Sequence, residues 1–348
     1  MNKLKPFLSS LAMGLLITAG LIMSGCTKEG PQGPAGEDGA DGADGLDGEE
    51  QCGTCHDMST DVKARILQWE NSGHALNGNF ERNGATCAGC HTNEGFNDVL
   101  ENNGENMIAS ATMSNPTPVG CRTCHKIHET YTPSDWQLKG ADPVTLIVGG
   151  ETDQGTGNTC ANCHQARDAG IIGSTPGEGE VTITSPYWGP HHGTQANMIA
   201  ADGGFEIPGD MSYTTGPHSS MEGGCVTCHM AEPYGVQSGG HQMAMGYAYH
   251  GSTVPNTAGC EECHEGIESF DFAGTQTDVQ EMLDELEAEL LARGLMDEDH
   301  HAVPGTYPTN EAGAVYNFLF VKEDWSLGVH NHRYAKALLA NTLADLQE

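Results

Sequence analysis

The stretch ATCAGCHTNEG, residues 85–95, sets Cys87 and Cys90 three positions apart and follows the second directly with His91. The same pentapeptide pattern is written six times: Cys52-Cys55-His56, Cys87-Cys90-His91, Cys121-Cys124-His125, Cys160-Cys163-His164, Cys225-Cys228-His229 and Cys260-Cys263-His264. C-x-x-C-H is the sequence of covalent c-type haem attachment. Two thiols add across the two vinyl groups on one edge of the porphyrin. The histidine that follows is then placed to bind the iron as its proximal ligand. A structural zinc site needs four closed ligands and has no reason to put a histidine after every second cysteine. A thioredoxin-like motif would occur once, near a βαβ pattern, and six disulfides would not need the histidines. The spacing therefore predicts six covalent haems c, with the twelve cysteines as attachment points and His56, His91, His125, His164, His229 and His264 as proximal ligands.

Composition agrees with an interior filled by something other than side chains. Only 37% of the 348 residues are apolar and 6% are aromatic, while 47 are glycine. The formal charge is −34, from 14 basic and 48 acidic residues. Such a surface repels phosphate backbones, so nucleic acid is not an expected partner.

The N-terminus reads as an export segment over residues 1–25. Lys3 and Lys5 precede a mostly apolar run from Phe7 to Met23, which closes on Ser24 and Gly25. The run is too short for a spanning helix. Cys26 is the one cysteine outside the repeated pattern, and Ser24-Gly25-Cys26 resembles a lipoprotein lipobox, with Met23 where Leu is usual. On that reading Cys26 carries lipid and anchors the chain to a membrane without spanning it; the other reading is an ordinary signal peptide beside a stray cysteine. Residues 26–50 follow as a stalk, with glycine at 30, 33, 36, 39, 42, 45 and 48. A period of three is the collagen signature, and the segment is either an acidic extended spacer or a short trimer-forming triple helix. The expected organisation is completed by a haem-binding region over 51–275 and a C-terminal helical region over 276–348.

Eleven histidines lie outside the motifs, and six are needed if every iron has two imidazole ligands. His74 follows a helix expected from a cap at Ser59 or Thr60, through Val62, Ile66 and Trp69, to a stop at Gly73. His128 lies too close behind His125 to reach the opposite face of the same haem and is expected on a neighbouring one. His218 precedes the fifth motif. His241 is preferred to His250, and His191 to its neighbour His192, with both choices open. His330 sits just before the last helix. His300 and His301, in an acidic loop, are expected to be solvated, and His332 to lie on a helix face. Met230, Met243 and Met245 are rival ligands near the motifs and are read as packing.

After the last motif the periodicity becomes helical. Asp278 to Arg293 carries Val279, Met282, Leu283, Leu286 and Leu290 on one stripe, with Gly294 as stop. Ala312, Val315, Tyr316, Leu319 and Phe320 form a second stripe, and Tyr334, Leu338, Leu339 and Leu343 a third. Only residues 144–148 and 181–184 look extended. The fold class expected is mostly α with extensive irregular loops and little β, a multihaem cytochrome fold whose haems form the core.

The six motifs, the WENSGH stretch ending at His74 and the GVHN stretch holding His330 resemble multihaem c-type cytochromes, in particular outer-surface electron-transfer lipoproteins of metal-respiring bacteria. The last stretch is also similar to the C-terminal part of pentahaem nitrite reductases and their octahaem relatives. The resemblance spans about residues 50–348. It implies electron transfer at the outer membrane or cell surface, to redox protein partners or an extracellular acceptor, and some such proteins assemble into filaments. The alternative is a reductase of nitrite, hydroxylamine or a sulfur oxyanion. That activity needs an open iron and basic groups for an anion. Here all six motifs end in His rather than the Lys usual in nitrite reductases, and Lys and Arg are scarce.

Overall fold

The computed structural model describes residues 52, 53, 56 and 59–348. The export segment 1–25, Cys26, the stalk 26–50 and Cys55 lie outside the described residues.

Helix α1 (Thr60–Glu70) starts where expected, with the Ser59 hydroxyl accepting from the Val62 N–H. It stops earlier than Gly73. The Asn71 N–H turns back to the Gln68 carbonyl and the Ser72 N–H to the Trp69 carbonyl, and Ser72, with extended backbone, caps a new turn, α2 (Gly73–Leu76), by accepting from Ala75 N–H. His74 thus sits inside a capped turn rather than on a loose glycine hinge. Helices α3 (Ala85–His91) and α4 (Asn93–Asn102) meet at Thr92. Its hydroxyl donates to the Ala88 carbonyl and accepts from the Gly95 N–H, closing one helix and opening the next. A Cβ at Gly89 would lie 2.1 Å from the Met107 carbonyl oxygen, so only glycine permits that approach.

The chain then runs through short pieces: α5 (Cys121–Cys124), β1 (Val144–Thr145), β2 (Glu151–Thr152), α6 (Asn158–Ala161), β3 (Glu180–Ile183), α7 (Gln195–Ala200), α8 (Cys225–His229), β4 (Gly246–Tyr249) and β5 (Ser252–Pro255). The extended stretch read at 144–148 pairs only through Val144 and Thr145. Of the one at 181–184, residues 181–183 lie in β3, antiparallel to β6 (Gly305–Pro308), with Val181 opposite Tyr307. The β4–β5 hairpin was not expected. His250 (φ 49°) and Gly251 (φ 84°) both take the left-handed region, which is what a two-residue hairpin turn matching strand twist requires. Three two-stranded ladders are all the sheet among the described residues, so the fold is mostly helical with long irregular connections.

The C-terminal helices are α9 (Thr275–Ala292), α10 (Thr309–Lys322) and α11 (His332–Gln347). Gly294 at φ 68° follows the first as read from sequence. The apolar stripes are buried: Val279, Leu283, Leu286 and Leu290 from α9, then Tyr316, Phe320, Tyr334 and Leu338. They form one core with Val148, Ile171, Ile183, Met198, Phe205 and Ile207. The rest of the molecule is built differently. Two small clusters surround Phe96 and Val144. Between Ile207 and Val279, where the fifth and sixth motifs lie, no apolar side chain is buried.

Among the described residues no helix is long and apolar enough to cross a membrane.

Candidate haem-binding site

Two of the repeated motifs lie wholly within a helix, the second in α3 and the fifth in α8. In such a turn positions i, i+3 and i+4 share a face, so both thiols and the histidine of these two motifs are offered to the same side of the chain. In the third motif α5 holds both cysteines and His125 follows on extended backbone, and in the fourth α6 holds Cys160 alone.

Across from every motif histidine stands a second imidazole from a distant segment. The ring centres are 6.0 Å apart for His56 and His128, 6.1 Å for His91 and His191, and 6.3 Å for His125 and His241. They are 6.1 Å apart for His164 and His74, 6.2 Å for His229 and His330, and 6.3 Å for His264 and His218. No ring is shared between these pairs. An imidazole nitrogen lies about 1.1 Å from its ring centre and binds a first-row metal at about 2.0–2.1 Å, so two rings on opposite sides of one ion stand about 6.2–6.4 Å apart. The observed separations lie within or just below that range and are wider than the closest ring-to-ring packing.

Hydrogen bonds orient the rings. His125 Nδ1 donates to the Trp136 carbonyl at 2.7 Å, His218 Nδ1 to Val329 at 2.6 Å and His229 Nδ1 to Met243 at 2.9 Å. His164 Nδ1 meets Gln195 Oε1 at 3.3 Å. A carbonyl can only accept, so the proton is on Nδ1 and the Nε2 lone pair is free to ligate. His330 Nδ1 is instead 2.6 Å from Oδ1 of buried Asp324.

Burial, with the neighbouring His164, pushes His74 down to about 4. Burial, then the nearby Arg167 charge, does the same to His191. His91, His164, His229 and His241 are also lowered, burial being the largest cause. Lowered values favour the neutral ring, the form that ligates metal. For His330 burial acts downward too, but the Asp324 charge and hydrogen bond outweigh it and raise the value.

The distal candidates chosen from sequence, His74, His128, His191, His218, His241 and His330, are the rings that face the motif histidines. His128 faces His56 and not His125. His192 points away, its Nδ1 2.8 Å from Glu323 Oε2. His250 forms the hairpin turn against Tyr249. His332 opens α11. His301 pairs with Asp297 in its loop, but His300 departs from the solvated reading. Its Nε2 is 2.9 Å from Glu287 and its ring stacks on Phe318. Asp324, Gln195 and Arg167 carry no motif and were not singled out, because only the folded contacts bring them to the imidazoles.

The motifs are not arranged in sequence order. Cys90 of the second lies against Cys163 of the fourth. Cys160 of the fourth lies against Cys225 of the fifth, whose Sγ is also 3.8 Å from the Gly157 carbonyl oxygen. Cys228 of the fifth is near Cys260 and Cys263 of the sixth, and Cys124 of the third is near Cys160 and Cys163. The fourth motif is thus adjacent to the second, third and fifth.

The residues fit haem c on several counts. Paired thiols and paired neutral imidazoles make the donor set. The Arg167 Nη2 is buried without a partner beside Cys90, and a haem's two carboxylates are acceptors of the kind such a cation lacks. The segment between Ile207 and Val279 has a fold without an apolar side-chain core of its own, which a large apolar ring would supply.

No family model matches the chain, and no curated protein matches it. Among solved structures it is similar to the crystal structure of outer cell wall cytochrome OcwA, with a TM-score of 0.48 and 20% identity over 81% of this chain and 50% of that one. The chain spans about half the length of that protein.

Proposed function

We propose that the chain is a hexahaem c-type cytochrome that relays electrons, with every iron held between two imidazoles. The observation that carries this reading is the set of six separate facing pairs, one for each C-x-x-C-H motif. When bound, haem c supplies a one-electron iron couple whose potential is set by its ligands and surroundings.

The chain's own residues do the rest. The paired thiols would hold each haem covalently. The backbone carbonyls of Trp136, Val329 and Met243 hold imidazole planes in place. Tyr131, stacked at 5.5 Å on His128, and Phe272, at 4.4 Å from His264, cover the first and sixth sites from the side. Adjacent motifs bring the sites together, and the fourth is the crossing point of the network. Substrate reduction needs one iron with an open position, whereas each motif histidine here already faces a second ring. That favours a relay over a reductase of nitrite, hydroxylamine or a sulfur oxyanion.

Export, a lipid on Cys26, a spacer over 26–50, a place at the outer membrane or cell surface, and redox proteins or an extracellular acceptor as partners complete the proposal. It rests there on the N-terminal sequence and on the family resemblance, which also includes members that oligomerise into filaments. Protein purified from a host that matures c-type cytochromes should show the mass of six added haems and a fully low-spin spectrum. Fewer than six, or a high-spin fraction that binds nitrite or hydroxylamine, would count against it.

A further inference from the structure

One of the twelve facing imidazoles is held differently from the others. Where a hydrogen bond at Nδ1 is seen on His125, His164, His218 and His229, the acceptor is a neutral carbonyl or amide oxygen. On His330 it is the carboxylate of Asp324, at 2.6 Å, with the acid 2% exposed. The second carboxylate oxygen accepts from the Ser326 hydroxyl, and Ser326 Oγ in turn accepts from the His330 N–H at 3.1 Å. The acid is thereby locked in register with the ring. No lysine or arginine pairs with Asp324 among the described residues, so its charge is spent on the imidazole.

We propose that Asp324 is a positioning residue that sets a reduction potential, holding the haem of the fifth motif at the low end of the six. The inference rests on the cytochrome reading above and adds to it which site is the strongest reductant. A carboxylate that accepts the Nδ1 proton gives the ring imidazolate character and makes Nε2 a stronger donor. It also places a negative charge in a dry environment, where Coulomb interactions are strong. The oxidised iron carries one positive charge more than the reduced iron, so both effects favour the oxidised form and lower the potential. The couple remains one electron, and the proton stays shared between Nδ1 and Oδ1 without release. The placing is functional in consequence. Gln195 accepts from His164 Nδ1 while its Nε2 donates to the carbonyls of Glu323 and Asp324 at 3.0 and 3.4 Å. The fifth site is therefore tied to the fourth, the crossing point, toward which a low-potential site would deliver its electron.

The test is a spectroelectrochemical titration of the full holoprotein, with haem content checked by mass. Asp324→Asn keeps the shape and an oxygen that can accept from Nδ1, and removes the charge. It should raise one low-lying wave so that the oxidised-to-reduced ratio at fixed applied potential falls at least tenfold, which is 59 mV for one electron. The other five waves should move less. Ser326→Ala removes the competing hydroxyl, strengthens the carboxylate as an acceptor, and should move the same wave downward. It keeps the proposal open to refutation if the Asn variant does not fold. Six retained haems with no wave displaced in either variant overturn the inference and leave the cytochrome reading standing. Wild-type protein without covalent haem overturns both.

Discussion

The two halves of this molecule solve the problem of an interior in different ways. Helices α9–α11, with segments around Ile183 and Phe205, bury a continuous set of aliphatic and aromatic side chains. The segment between Ile207 and Val279 buries none, yet it holds two attachment motifs, a hairpin and His218 and His241. Apolar burial is the main favourable term in folding. Here the segment relies instead on hydrogen bonds and partly exposed contacts, such as the Tyr234–Tyr247 stack and Gln68 Nε2 donating to the Gly235 carbonyl. On the haem reading proposed above, the cofactor would do in one region the work that leucine and phenylalanine do in the other.

The largest expected effect breaks the comparison directly. Produced in a host that cannot attach haem, the chain should lose amide protection across residues 208–278, while α10 and α11 exchange more slowly; hydrogen exchange read by mass spectrometry distinguishes the two. Equal protection in both halves without haem would contradict the account. Next, Leu286→Ala, at a fully buried position of α9, should cost about 2–5 kcal/mol with the visible spectrum unchanged, as measured by denaturant unfolding of the holoprotein. A spectral change there would mean that the two interiors are not separate.

A smaller effect is expected where the fourth and fifth motifs touch. A Cβ at Gly157 would meet the Cys225 backbone nitrogen at 2.8 Å. Gly157→Ala should therefore destabilise by about 1–3 kcal/mol through overpacking and perturb the fifth site's absorption more than the first's. The smallest is Ser72→Ala. Loss of the cap on α2 should cost about 1 kcal/mol, visible as a slightly lower Tm and a broadened signal from the site of His74 and His164.

Much of this was legible in the sequence because the chemistry is local. Two thiols and an imidazole within five residues can be read without a fold, and the helical stripes of α9–α11 need only a period of 3.6. Distal rings were harder, since each reaches its partner across scores of residues. His74, His241 and His330 still showed through the glycines, caps and helix starts beside them. The end of α1 was misplaced because Ser72 outcompetes Gly73 as punctuation, by capping a second turn. The β4–β5 hairpin was missed because His250-Gly251 is an uncommon turn pair. Asp324, Gln195 and Arg167 stayed invisible because nothing in their neighbourhood repeats, and the contacts that give them meaning exist only in three dimensions.

The most direct test of the central claim is electron paramagnetic resonance of the fully oxidised holoprotein, integrated against haem content. Ring planes in three facing pairs lie 24°, 30° and 36° apart, and in the other three 64°, 65° and 89° apart. Near-parallel imidazoles give rhombic low-spin signals and steeply crossed ones give strongly axial signals. The account predicts six low-spin irons divided evenly between the two classes. A high-spin signal integrating to a whole haem, or a methionine-ligated signal at any site, would contradict it.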